Sequence, residues 1–103
     1  MEAANNPVTP AADETLNGMG VTVLPDILAN AGGVIVSYFE WAQNIQEFRW
    51  EESRVNEELW RRMRKATDLV WDEAQKEKVT LREAAFMIGV QRVARAAQLR
   101  GFV

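Results

Sequence analysis

The sequence predicts a mostly helical chain with one or two short strands, and three stretches carry that expectation. Val55, Leu59, Met63, Ala66, Val70 and Ala74 recur at steps of four and three, the stripe that buries one side of a 3.6-residue helix. Thr80-Leu81-Arg82-Glu83 is a capping-box signature, in which a hydroxyl and a carboxylate three residues apart each satisfy a free backbone N–H of the other. Val21-Thr22-Val23-Leu24 is apolar and rich in β-branched side chains, which suits a buried strand.

In chain order, residues 2–7 read as a loop, because Asn5, Asn6 and Pro7 interrupt regular structure. Thr9-Pro10 starts a helix: Thr caps, Pro suits the first helical position, and Asp13 and Glu14 sit where the dipole favours acid. That helix should end at Gly18 or Gly20. The Gly18-Met19-Gly20 pair superficially resembles a phosphate-binding loop, but such a loop follows a strand and opens a helix, whereas this one follows a helix. It reads as a C-cap and turn. The strand expected at 21–24 has only the extreme N-terminus as an in-chain partner. A lone strand leaves its backbone donors and acceptors unsatisfied, so a partner outside this sequence is expected.

Pro25-Asp26 then signals a turn, with Asn30 and the pair Gly32-Gly33 leading into a helix that ends near Gln46. On that helix Val34, Tyr38, Trp41 and Ile45 share a face, with Ile35, Phe39 and Ala42 beside it. Ser37, Glu40 and Asn44 form a separate polar line. After a link at 47–50, the long amphipathic helix carries Glu57–Arg61 and Glu58–Arg62 in the favourable i,i+4 order. The last helix starts near Leu81. Its apolar set, from Leu81 through Phe86, Val90 and Val93 to Leu99, is wide enough to predict burial over most of its length, with Arg92, Arg95 and Arg100 at the negative end of the dipole.

Composition narrows the function classes. The chain has 103 residues, 48% hydrophobic and 26% charged, a globular composition sufficient for one modest domain. A net charge of −3 without a basic block weighs against nucleic acid. There is no cysteine and no histidine, which removes disulfides, thiolate metal sites and the commonest general base; no metal site is expected. The N-terminus lacks the pattern of a signal peptide and no apolar run reaches membrane-spanning length, so no membrane association is expected and the default compartment is cytoplasmic.

Chemistry is expected where polar loops meet. Asn5 and Asn6 follow the N-terminal segment as Asn30 follows the strand expected at 21–24, and two amide-bearing loops at the ends of neighbouring sheet strands could converge on one crevice. An amide donates and accepts, which suits a carboxamide or a ribose hydroxyl. The plainer reading of both is loop punctuation. Ser37 opens the polar line of its helix; its plainer role is to bond its own backbone carbonyl one turn back. Asp26 reads as turn chemistry. Lys65, Lys76 and Lys78 lie on a solvated face and do not qualify as a buried catalytic lysine.

Asn30-Ala31-Gly32-Gly33-Val34 followed by Ser37-Tyr38-Phe39-Glu40-Trp41, with Glu2-Ala3-Ala4-Asn5-Asn6-Pro7 before and Arg100-Gly101 at the end, resembles the C-terminal segment of hexameric-type glutamate dehydrogenases. These belong to the glutamate/leucine/phenylalanine/valine dehydrogenase superfamily. The resemblance runs over essentially the whole chain and corresponds to the last quarter or so of the family. It implies a single domain over 1–103, the C-terminal part of a Rossmann-type α/β NAD(P)-binding domain, with the end of the sheet region at 1–33 and helices from 34 onward.

The activity it implies is oxidative deamination of L-glutamate to 2-oxoglutarate and ammonia with NAD or NADP. Asn5 and Asn30 would lie near the nicotinamide end of the cofactor, and Ser37 would bond the side-chain carboxylate of glutamate or 2-oxoglutarate. Many family members carry Gly where Asn6 stands. The family's catalytic Lys and Asp and its GxGxxG loop lie upstream of the matched region, so no catalytic residue is expected here and the chain alone is expected to be inactive. Two other readings stay open: a small subunit completing a split dehydrogenase in trans, and a non-enzymatic helical homo-oligomer.

Overall fold

The structure, a computed structural model, describes residues 1–102. Five helices follow one another: α1 (Pro10–Gly18), α2 (Asp26–Ala29), α3 (Ala31–Gln46), α4 (Glu52–Glu77) and α5 (Leu81–Leu99). Each boundary has a local cause. Thr9 caps α1 by accepting the N–H of Ala12 at 3.3 Å, and the helix closes into a turn at Met19 and Gly20, whose φ of 74° lies where glycine is unstrained. Thr80 completes the capping box of α5: its hydroxyl accepts the N–H of Glu83 while Glu83 accepts the N–H of Thr80 at 2.9 Å. Two helices end on left-handed residues other than glycine, α3 at Glu47 and α4 at Lys78, and the N–H groups of Phe48 and Val79 reach back to the carbonyls of Gln43 and Ala74, as helix C-caps require.

The expected strand is not formed. Residues 21–25 take no regular secondary structure and belong to no ladder, and no strand exists among the described residues. Cross-strand pairing needs a repeating set of backbone bonds. Here the N-terminal segment supplies one, from the N–H of Glu2 to the carbonyl of Leu24 at 3.0 Å, and then diverts into side-chain bonding. The region 1–33 therefore holds α1, α2, the start of α3 and loops, and the Rossmann-type sheet implied by the resemblance is absent from it.

The core lies where α2, α4 and α5 meet: Leu28, Val70, Ala74, Leu81, Ala84 and Ala85 are buried, with Leu24, Ala66, Val79 and Ile88 packed around them. The stripe on α4 behaves as its spacing predicts, every member being buried or half-buried while Trp60 and Trp71 stay exposed. On α3 the two apolar lines separate. Phe39 is 1% exposed, its ring 5.5 Å from that of Trp50 with the Arg62 guanidinium above it, and Ile35 and Ala42 are half-buried alongside. Val34, Tyr38, Trp41 and Ile45 face outward.

The last helix departs from expectation. Its first turn is buried, but Val90, Val93 and Leu99 are exposed, because α4 meets only one end of it and no other described element covers the rest. The surface pairs also differ in detail: Glu58 accepts a hydrogen bond from Arg61 at 2.6 Å and forms a looser ion pair with Arg62 at 3.8 Å, whereas no ion pair joins Glu57 to Arg61 among the described residues.

Candidate functional site

The two amide-bearing loops converge. Asn30 donates its side-chain N–H to the Oδ1 of Asn5 at 2.5 Å across 25 residues of sequence. Asn30 sits at the joint between α2 and α3. Its side chain does not cap α3 because it is turned toward Asn5. One hydrogen bond uses one donor and one acceptor, so each amide keeps further bonding capacity for a polar ligand.

The Asn5 side is held by backbone geometry. Asn6 has a φ of 47°, in the left-handed region that glycine enters freely and asparagine more readily than most residues. The strained turn is fixed by Asp26, whose Oδ2 accepts the N–H of Asn6 at 2.7 Å while its Oδ1 accepts the N–H of Ile27 at 2.7 Å. Asp26 is thus more than a turn former. Its carboxyl is held below the ordinary range, chiefly by the Asn6 N–H, opposed by desolvation and reinforced by Ile27 and Arg82.

Behind this turn lies a centre that the sequence reading did not single out. Arg82 meets three carboxylates from three distant segments: Glu2 at 2.6 Å, Asp13 at 3.1 Å and Asp26 at 3.3 Å. Glu2 is 5% exposed and its other oxygen accepts the backbone N–H of Asp26 at 2.9 Å. Asp13 and Glu2 raise the pKa of the Arg82 guanidinium above its ordinary value, chiefly through the hydrogen bonds they accept from it and against the opposing effect of desolvation. One signal was present in the sequence. Arg82 stands in the first turn of a helix, where the dipole disfavours a cation, and such a placement calls for compensating acid. An open groove of about 850 Å³ adjoins this cluster, lined by residues including Asn6, Pro10, Asp13, Thr80, Arg82 and Phe86.

Ser37 is exposed on α3 and donates its hydroxyl to the carbonyl of Gly33 at 3.0 Å, the local bond that a helical serine makes by default. Nothing within 4 Å would meet a Cβ on Gly33, and at Gly32 only the Leu59 side chain comes near, at 3.7 Å. Both glycines lie inside the first turn of α3. No contact within this chain requires either of them. No group of acidic side chains suited to a metal ion occurs among the described residues, and no described helix is long and apolar enough to cross a membrane.

Five helices and a tied pair of asparagine loops define an α-helical segment with two linked amides at the α2–α3 joint and, on α3, a glycine pair and an exposed serine. The family model for glutamate/leucine/phenylalanine/valine dehydrogenases matches residues 1–101, and the chain belongs to that family. It is 47% identical over 102 residues to the NAD-specific glutamate dehydrogenase of Staphylococcus aureus strain COL, covering 99% of this chain and 25% of that protein; the protein of strain MSSA476 matches equally.

Among solved structures, glutamate dehydrogenase from Peptoniphilus asaccharolyticus superimposes with a TM-score of 0.92 at 44% identity, over 99% of this chain and 26% of its own. The hetero-hexameric glutamate dehydrogenase from Thermus thermophilus, in a leucine-bound form, gives 0.93 at 34% identity, over 97% and 24%. The chain therefore spans about a quarter of the length of the relatives it matches.

Proposed function

We propose that this chain is the C-terminal portion of an NAD(P)-dependent glutamate dehydrogenase, contributing cofactor and substrate contacts to the oxidative deamination of L-glutamate. The observation that carries the reading is the Asn5–Asn30 amide pair. Its donor and acceptor capacity fits the carboxamide of a nicotinamide ring, so Asn5 and Asn30 are the residues proposed to meet the cofactor. Ser37 is proposed to turn from the Gly33 carbonyl toward the side-chain carboxylate of glutamate or 2-oxoglutarate; its bond to that carbonyl is weak enough to exchange. The bound dinucleotide would supply hydride transfer; the residues of this chain would orient its ring and the substrate.

Residues 1–103 act in this reading as one unit in the cytoplasm. The chain contains no GxGxxG loop and no buried lysine, so the cradle for the phosphates and the proton-transfer groups belong to other parts of the enzyme, and the chain alone is inactive. The exposed apolar residues Val34, Tyr38, Trp41, Val90, Val93 and Leu99 support association with further protein, whether the rest of the dehydrogenase, a separate chain completing it, or copies of itself.

The test grafts this chain onto the Staphylococcus aureus relative in place of the matching quarter. The graft is expected to turn over glutamate, and its Ser37→Ala variant to raise KM for glutamate about tenfold, the loss of one charge-assisted hydrogen bond. Turnover by the isolated chain, or a Ser37→Ala graft with unchanged glutamate kinetics, would refute the reading.

A further inference from the structure

We propose that Arg82 is a positioning residue for the amide pair: it touches neither cofactor nor substrate, and it sets the Asn5–Asn30 geometry through Glu2 and Asp26. The inference rests on the functional reading above for its consequence and on geometry alone for its mechanism. Arg82 is joined to Glu2 across 80 residues, to Asp13 across 69 and to Asp26 across 56. Two of these partners are the groups that shape the amide loops. Glu2 accepts the N–H of Asp26, and Asp26 accepts the N–H of Asn6 next to Asn5. Asp26 also opens the four-residue helix α2, whose C-cap is Asn30.

The chemistry of the centre makes Arg82 decisive. Three carboxylates on three segments share one guanidinium whose planar fork can serve several oxygens at once. Without it, Glu2, Asp13 and Asp26 would face one another as like charges in a partly desolvated place, with Glu14 and Glu83 on the same groove adding to the repulsion. The cheapest relief is for the N-terminal segment to swing away, since it carries no secondary structure of its own. Asn6 would then lose the carboxylate that holds its left-handed turn, and Asn5 would leave Asn30. A lysine preserves charge but offers a single point donor, so it should restore the fold more fully than the geometry.

The experiment has two arms. In the chain itself, labelled with nitrogen-15, the side-chain amide resonances of Asn30 and the backbone N–H of Asn6 are compared among parent, Arg82→Met and Arg82→Lys, with circular dichroism to confirm helix content. Both variants are expected to move these resonances, Lys less than Met, while those of α4 stay in place. Should Arg82→Met fail to fold, Arg82→Lys carries the comparison. A folded Arg82→Lys chain with unmoved Asn6 and Asn30 resonances would overturn the proposal.

In the graft described above, reduced nicotinamide dinucleotide binding is followed by fluorescence for Arg82→Lys, Asn30→Ala and the double variant. Each single change is expected to weaken binding about tenfold, and the double no more than Asn30→Ala alone. Fully additive losses would mean that Arg82 acts by another route and would overturn the proposal. If Asn30→Ala leaves binding unchanged, the cofactor reading fails instead, and the resonances alone decide whether Arg82 positions the pair.

Discussion

The carboxylate of Asp26 holds the backbone N–H of Asn6 at 2.7 Å while Asn6 occupies a left-handed φ of 47°. The bond and the strain are matched: an otherwise costly backbone conformation persists because a charged acceptor lies at its N–H. Replacing Asn6 by glycine should leave stability within about 0.5 kcal/mol of the parent, because glycine enters this region without a Cβ penalty. Replacing it by valine should cost about 1–2 kcal/mol. Urea midpoints for the two variants measure the difference, and equal midpoints would contradict the assignment of strain.

The same carboxylate sets an acid limit. Its folded-state pKa lies below the ordinary value, so the folded chain binds the proton less readily than the unfolded one. The stabilisation from Asp26 is therefore fully present above about pH 4 and is lost as pH falls through the depressed folded value. Asp26→Asn removes this dependence. Thermal midpoints between pH 7 and pH 3 should fall less steeply in the variant, and parallel curves would show that Asp26 does not carry the effect.

Phe39 is the largest side chain fully buried away from the main core, between Trp50 and Arg62. Its truncation to alanine should cost about 3–5 kcal/mol, a large share of what a chain of this size holds. Gln43 closes the same corner, accepting the N–H of Trp50 at 2.8 Å and donating to the Phe39 carbonyl. Phe39→Ala should therefore also release Trp50, seen as a shift of tryptophan emission to longer wavelength.

Two exposed polar networks should differ sharply in worth. Thr80→Ala breaks the reciprocal cap of α5 and should cost about 1 kcal/mol. Glu58→Gln breaks two arginine contacts on the open face of α4 and should leave the denaturation midpoint unchanged, because exposed pairs gain little in water. A larger loss for Glu58→Gln than for Thr80→Ala would reverse this ordering.

These cases separate what was legible in the sequence from what was not. Thr9, Thr80 and the Val55–Ala74 stripe act within one or two turns of chain, and the structure keeps them where their spacing puts them. The Asn5 and Asn30 loops do converge, but not from the sheet-strand ends on which that expectation rested: Asn30 follows the short helix α2, and no strand precedes either residue. Arg82 was not legible. Its partners lie 56 to 80 residues away, and no periodicity encodes such a meeting.

On α3, periodicity identified two adjacent apolar lines but could not choose between them; the choice fell to Phe39, which α4 covers. The strand at 21–24 failed for a related reason: β-propensity describes a fit to neighbours, and the described residues offer the segment a single backbone bond.

The uneven cover of α5 makes one helix behave as two. Leu81, Ala84 and Ala85 lock its first turns into the core, whereas Val90, Val93 and Leu99 lie open. Amide hydrogens near Ala85 can exchange with solvent only when the whole core opens, while those beyond Gly89 need only a few turns to unwind from the end. Exchange rates should therefore climb steeply along a single unbroken element. Whatever comes to rest on the exposed turns would show itself first by slowing exchange there, leaving the rates near Ala85 almost unchanged.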